Sequence, residues 1–165
     1  MINHTARKKE KDSGPEEFWR NYAERYGEKV LAYRLGKYVS GWDEFEAAGI
    51  SGLWGLVIAT SGGFRFHHFP QENWLQAAAR SVSGGEPPQE KTIFIPAPGI
   101  LSAGIFTEKK LWKRLLAPRS PLLVIRYQSG DGEERELAAE TDGGAEGLAA
   151  ELCALISPAP QAVTP

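Results

Sequence analysis

The sequence predicts a mainly β protein, in which an antiparallel sheet of six or seven strands is followed by one C-terminal helix. The clearest evidence is a hairpin in the last third of the chain. Residues 122–127 are rich in β-branched and aromatic side chains, as half-buried strands are. Residues 129–132, Ser-Gly-Asp-Gly, suit a short hairpin turn. Residues 133–140 then return as a more polar strand, so this region predicts two antiparallel strands.

The chain is expected to close with an amphipathic helix. Four apolar side chains recur there at helical spacing and share one side: Leu148, Leu152, Leu155 and Ile156. Thr141 or Asp142 offers an N-cap oxygen. Gly143, Gly144 and Gly147 each cost up to about 1 kcal/mol of helix propensity relative to Ala. Burial of each large apolar side chain contributes roughly 1.5–3 kcal/mol, so we expect the helix to depend on packing against the sheet.

The N-terminal region is predicted to contain a tail and a short helix. Residues 1–14 are polar and charged, which is typical of a disordered tail. Pro15 followed by two glutamates is a helix-start signature, and Gly27 ends the helix, so residues 15–27 form this element. Its aromatic side chains recur at helical spacing and predict a packing face: Phe18, Trp19, Tyr22 and Tyr26. Residues 157–165, rich in Pro and Ala, are expected to form a second disordered tail.

The middle of the chain alternates apolar segments with turns. Strands are expected in five segments: 29–38, 53–60, 64–69, 92–95 and 100–107. The near-continuous apolar run 53–60 is typical of a central strand buried on both faces. Gly104 is expected to mark a bulge in the last of these strands. Residues 40–52 should form a loop or one helical turn, and residues 74–82 a short helix.

Composition and charge disfavour several classes of protein. A net charge of −2 and a pI near 6.0 argue against a nucleic-acid-binding protein, which needs a basic surface. A single cysteine can form neither an internal disulfide nor a zinc cluster. Neither a signal peptide nor an apolar run of roughly 20 residues is visible. We therefore expect a soluble, cytoplasmic protein, with a removed leader as the alternative.

The residues that could bind a metal or act in catalysis are all expected to have structural roles instead. His67 and His68 are adjacent on a strand and point to opposite faces, which predicts one packed and one exposed histidine rather than a metal site. Cys153 borders the apolar side of the last helix and is expected to be a small buried residue rather than a nucleophile. Residues 61–63 form a turn, not a phosphate loop. No catalytic, cofactor or metal site is predicted, so we expect a non-enzymatic protein.

One segment has the character of a binding patch. Basic residues alternate with Trp and Leu between positions 109 and 119. The residues predicted to contact an anionic surface are Lys109, Lys110, Trp112, Lys113, Arg114 and Arg119. Such a segment suits an anionic membrane surface, at about 1 kcal/mol per cation near the headgroups. In the alternative interpretation, Trp112 and the leucines pack inward while the cations stay solvated.

The order of these segments resembles that of bacterial pleckstrin-homology-like (PH-like) domains over residues 28–156. Residues 56–60 followed by 63–66 resemble a family strand ending in Thr that turns into an Arg-containing strand. Residues 94–96 leading into 100–107, and the final hairpin and helix, also resemble the family. The resemblance implies a strongly bent antiparallel sandwich or barrel, open at one end and capped by the C-terminal helix.

The resemblance also shapes the functional expectation. The family includes phosphoinositide binders, whose basic cluster usually lies in the loop joining the first two strands. Here that loop carries Asp43, Glu44 and Glu46, so no residue takes over that site. We expect a non-enzymatic protein-interaction or assembly module, with a protein partner or self-association. The alternative is weak peripheral binding to anionic lipid through residues 109–119, and use of the sandwich interior by an enzyme or small-molecule carrier also stays open.

Overall fold

The computed structural model describes residues 14–70, 89–106 and 121–157. These residues contain seven strands, three α-helices and one 3-10 turn. In chain order the elements are α1 (Pro15–Tyr26), β1 (Val30–Ser40), α2 (Asp43–Ala47), β2 (Trp54–Thr60), β3 (Gly63–His68), β4 (Lys91–Pro96), the 3-10 turn (Ala97–Gly99), β5 (Ile100–Phe106), β6 (Leu122–Gln128), β7 (Glu134–Thr141) and α3 (Ala145–Ile156).

The seven strands form one antiparallel sheet in the order β4-β3-β2-β1-β7-β6-β5. β1 belongs to both halves, because residues 30–37 pair with β2 and residues 36–40 pair with β7. Gly36 lies where the two pairings overlap. A Cβ atom there would lie 2.5 Å from the Glu140 carbonyl oxygen and 2.6 Å from Val57 Cγ2, so only glycine fits. We call β4, β3, β2 and the start of β1 the first half-sheet, and the rest the second half-sheet.

The core lies between the two half-sheets, which face each other as in a sandwich. Its largest aliphatic and aromatic side chains have almost no exposed surface and come from both halves and from α3: Phe64, Phe66, Ile93, Ile95, Leu123, Ile125, Leu137, Leu148 and Leu152. The predicted mainly β fold, with antiparallel strands and a closing C-terminal helix, is therefore confirmed. Leu155 and Ile156 are partly buried and pack against this core, as their spacing predicts.

The connection between β1 and β2 contributes to the core. This segment, predicted as a loop or one helical turn, forms α2 and places Phe45 against the interior. The Phe45 ring lies 5.1 Å from that of Tyr38 and 6.4 Å from that of Phe66, both edge to face. The end of the sandwich near α2 is thus filled by an aromatic cluster.

The predicted N-cap of the last helix is wrong. Thr141 is still part of β7, where it pairs with Gly36, and the Asp142 N–H donates to the Leu35 carbonyl at 3.0 Å. Both residues are held by β1, so the helix starts later. Its N-cap is Gly144, in the left-handed region with φ +61° and without a capping side chain. Only Gly147, of the three glycines, therefore costs helix propensity.

The predicted bulge in β5 is also displaced. The register of β5 against β6 shifts between Ile100 and Ser102, whereas Gly104 pairs regularly with Val124. Cys153 of α3, predicted to be buried, is half-buried, and its thiol donates to the Ala103 carbonyl at 3.2 Å.

Several predicted segments lie outside the described residues. They are the two tails apart from Gly14 and Ser157, the short helix at 74–82 and the basic segment 109–119. Among the helices that the structure describes, none is long and apolar enough to cross a membrane.

Candidate functional site

α1 lies on the outer face of the first half-sheet, away from the core. Phe64 and Phe66 of β3 point into the core, so Arg65 and His67 point outward. The Tyr22 ring of α1 lies 5.7 Å from the His67 ring. β3 is therefore covered on both faces, by the core on one side and by α1 on the other.

The aromatic stripe of α1 forms most of this contact. Tyr22 is only 5% exposed, and the Trp19 ring lies 3.9 Å from the Tyr33 ring of β1. Phe18 contacts Phe69 at a ring distance of 5.9 Å but keeps 41% of its surface exposed. The stripe is a packing face, as predicted, but its N-terminal end reaches the protein surface.

A buried ion pair between Glu28 and Arg65 ties the short segment after α1 to β3. Arg65 donates from Nε and Nη2 to the Glu28 carboxylate at 2.9 and 2.7 Å, and the Thr60 hydroxyl donates to the same carboxylate at 2.6 Å. The guanidinium lies between the rings of Tyr26, at 4.2 Å, and Phe94, at 3.9 Å. The hydrogen bonds from Arg65 lower the pKa of Glu28. We call this pair the Glu28–Arg65 latch, because it fixes the residue that follows α1 and Gly27 to the sheet.

His67 lies under the C-terminal half of α1 and has no exposed surface. Its Nε2 is 3.2 Å from a Glu90 carboxylate oxygen, and the same oxygen accepts from Arg25 Nη2 at 3.1 Å. Its Nδ1 is 3.5 Å from the Tyr26 hydroxyl, and its ring stacks on Phe69 at 3.9 Å. Burial lowers the pKa of His67. The imidazole is thus a packed, hydrogen-bonded group rather than a ligand open to solvent.

Next to α1 the outer face carries exposed apolar side chains. We call the three of them that lie on the sheet the outer apolar strip: Tyr33, Leu35 and Trp54. Tyr33 and Leu35 alternate on β1 and share a face. Leu35 pairs with Leu56, so Trp54 is its diagonal neighbour on β2. These three side chains are 40, 50 and 55% exposed, whereas Ile58, on the same face of β2, is completely buried.

A salt bridge borders the strip on the side away from α1. Lys37, which pairs with Trp54 in the sheet, lies 2.7 Å from the Glu140 carboxylate of β7. Both charged side chains are about two-thirds buried. The strip is therefore a defined surface between a helix at one end and an ion pair at the other.

The outer face of the second half-sheet carries a groove of about 630 Å³. Its apolar lining on this face comes from β1, β5 and β6: Val39, Phe106, Leu122 and Val124. Arg126 and Glu136 add charged groups to its lining. Arg126 is itself paired with Glu134 at 2.8 Å. This groove is a second apolar surface, separate from the strip.

The end of the sandwich near α2 is acidic. Arg135 of β7 forms ion pairs with Asp43 of α2 and with Asp131, at 2.6 Å, and lies 3.6 Å from Glu133. One guanidinium thus faces three carboxylates. This electrostatic environment disfavours an anionic headgroup at the loop where the resemblance would have placed one.

The structure brings together residues that the sequence did not single out. The six predicted residues of the basic segment lie outside the described ranges, and their prediction stays untested. Tyr33 and Leu35 were predicted only as strand residues, and Trp54 as part of a strand buried on both faces. The sequence signal was an excess of apolar residues on both faces of β1 and β2, but it could not show which of them α1 leaves exposed.

The two histidines differ as their adjacent strand positions predict. His67 is buried under α1, whereas His68 is partly exposed and its Nδ1 lies 2.7 Å from the Trp54 carbonyl oxygen. Within residues 14–70, 89–106 and 121–157, no three His, Cys, Asp or Glu side chains come together as a metal site. No protein-family model matches this chain, and no curated protein matches it in sequence.

Proposed function

We propose that this chain is a protein-interaction or assembly module with a PH-like fold, and that it contacts its partner through the outer apolar strip. The observation that carries the proposal is the exposure of Tyr33, Leu35 and Trp54 side by side on an otherwise ordered sheet face. Single exposed apolar residues are ordinary, but contiguous ones mark interaction surfaces.

The PH-like part of the proposal is supported by topology. Seven antiparallel strands in two facing half-sheets and a helix after the last strand agree with the helix-capped antiparallel sandwich that the resemblance implies. The fold by itself says nothing about function, because one fold serves many functions. The functional proposal therefore depends on the strip.

The strip is well suited to a protein partner. Tyr33 and Trp54 are large, rigid side chains, of the kind enriched at the centres of protein interfaces. They project from two paired strands, so ordering them on binding costs little backbone entropy. Covering them removes apolar surface from water, at roughly 25 cal/mol per Å².

Site-specific photo-crosslinking tests the proposal. The photoreactive residue p-benzoylphenylalanine is placed at position 54 in the strip, or at position 101 as the control. Leu101 is 44% exposed but lies on β5. We expect crosslinks to a defined protein, or to a second copy of the chain, from position 54 and not from position 101. Leu35→Glu should abolish them.

Light scattering after size exclusion then separates self-association from binding to another protein. A second copy as the partner gives a mass above that of the monomer, which Leu35→Glu returns to the monomer mass. A strictly monomeric protein that forms no crosslink from position 54 would rule out the strip as a contact surface.

A further inference from the structure

The contact between α1 and the sheet contains a buried imidazole, that of His67. The titratable and charged side chains around His67 come from α1, β3 and the residue before β4, whereas its sheet neighbours Leu56 and Thr92 are uncharged. The charged and titratable ones are Tyr22, Arg25, Tyr26, Arg65 and Glu90. The contact is thus polar at its centre, although aromatic rings surround it.

The hydrogen bonds indicate where a further proton would have to go. Glu90 can only accept, so the neutral imidazole carries its hydrogen on Nε2, which lies 3.2 Å from that carboxylate. Nδ1 is then the free acceptor and faces the Tyr26 hydroxyl at 3.5 Å. Protonation at Nδ1 turns this acceptor into a donor, so the Tyr26 hydroxyl has to reverse its role.

The surrounding groups only partly stabilise the positive charge that His67 would carry once protonated. His67 has no exposed surface, and a buried charge is costly unless it is fully paired. Glu90 is the one carboxylate hydrogen-bonded to the ring among the described residues, and its oxygen is shared with Arg25. Arg25 and Arg65 both disfavour a second positive charge nearby.

We propose that the docking of α1 on the sheet is acid-sensitive, such that protonation of His67 weakens the contact and α1 swings away from the outer face. The hinge is Gly27, which has φ +66° and no atom within 4 Å of the place where a Cβ would lie. Glu28 follows the hinge directly, and the Glu28–Arg65 latch keeps this residue attached to the sheet. α1 can therefore leave without unfolding β1.

The direction of the pH effect follows from the lowered pKa of the docked imidazole. Above about pH 6.5, the ordinary value for histidine, both docked and undocked forms are neutral and docking is at full strength. As the pH falls below that value, the undocked form takes up a proton first, so docking weakens down to the pKa of the docked form. The docking constant changes by about tenfold for each unit by which docking lowers the pKa.

Undocking would enlarge the outer apolar strip. Tyr33 is partly covered by Trp19 of α1. The completely buried Ile58 pairs with Tyr33 and Arg65, whose side chains contact Trp19 and Tyr26 of α1. We expect Tyr33 and Ile58 to become more exposed once α1 leaves. This consequence rests on the proposed function, whereas the acid-sensitive undocking does not, and the test below measures the helix and not a partner.

Hydrogen exchange on the full-length chain measures the docking. Exchange of the α1 amides is followed by mass spectrometry at about pH 7.5 and about pH 5 and corrected for the intrinsic pH dependence. We expect protection of residues 15–26 to fall several-fold more than protection of β6 and β7. His67→Gln should remove this pH dependence. The control His68→Gln, whose ring contacts only the Trp54 carbonyl in the described hydrogen-bond network, should keep it.

A second measurement does not require a stable His67 variant. In the wild type, NMR titration of the His67 ring should give a pKa below the ordinary histidine value of about 6.5, and the α1 signals should change with the same midpoint. Glu90→Gln should move that midpoint to lower pH, because the Glu90 carboxylate raises the pKa of His67. Equal protection of α1 at both pH values, or a midpoint unaffected by Glu90→Gln, would overturn the proposal.

Discussion

The Glu28 carboxylate and the Arg65 guanidinium form an ion pair with two hydrogen bonds, which ties the short segment after α1 to β3. Their side chains are 15% and 12% exposed, and the rings of Tyr26 and Phe94 flank the guanidinium. The two residues are 37 positions apart in the chain. A charge in such a site depends on its partner, because neither water nor another described ion can replace it fully.

Removal of one partner should therefore destabilise the protein markedly. We expect Arg65→Ala to lower the free energy of unfolding by about 3 kcal/mol, since it leaves the Glu28 carboxylate buried and removes a cation between two rings. Urea denaturation followed by circular dichroism measures this.

The matched control is Arg126→Ala. Arg126 is also paired with a glutamate on the sheet, but both partners are more than half exposed. Its loss should cost at most about 1 kcal/mol. Similar losses in the two variants would show that the Glu28–Arg65 latch behaves as an ordinary surface pair.

Leu152 attaches α3 to the sheet and has no exposed surface. We therefore expect its substitution to destabilise the protein strongly. Leu152→Asp should prevent folding, because it buries an unpaired carboxylate and removes a large apolar side chain from the core. Ala150→Asp, on the exposed side of the same helix, should change the melting temperature little. If Leu152→Asp melted like the wild type, the helix could not be a core element.

Gly41 is predicted to be the least replaceable glycine of the β1–β2 connection. It has φ +93°, and a Cβ there would overlap the Glu136 carbonyl, whose strand runs alongside. Gly41→Ala should lower the free energy of unfolding by about 1–3 kcal/mol. Gly130→Ala in the β6–β7 turn has open space around it and no positive φ, and should be nearly neutral. Chemical denaturation of both variants shows whether a side chain at position 41 strains the backbone.

Binding to anionic lipid through residues 109–119 is the alternative function, and sedimentation with liposomes tests it. If it holds, the wild type should pellet with vesicles containing phosphatidylserine, and the triple variant Lys110→Glu, Lys113→Glu, Arg114→Glu should stay in the supernatant. Pelleting should also decrease at high salt. Equal pelleting of both proteins, or no pelleting of either, would remove the lipid interpretation.

The sequence by itself determined the local elements of this protein. Strand alternation, turn residues and the pair of Pro15 and Gly27 were enough to place α1 and the hairpins, because these signals act over a few neighbouring residues. The same signals predicted the closing helix and its buried leucines. They failed at the start of α3, where pairing with β1 occupies Thr141 and leaves Gly144 as the N-cap.

Only the tertiary structure decided which apolar residues remain on the surface. Ile58 and Trp54 lie on the same face of β2, yet one is completely buried and the other is 55% exposed. Ile58 pairs with Tyr33 and Arg65, the two residues that contact Trp19 and Tyr26 of α1. The position of α1 depends on contacts between residues far apart in sequence, such as Tyr22 with His67. Local patterns carry no information about such contacts, so the candidate site emerged only when the chain was folded.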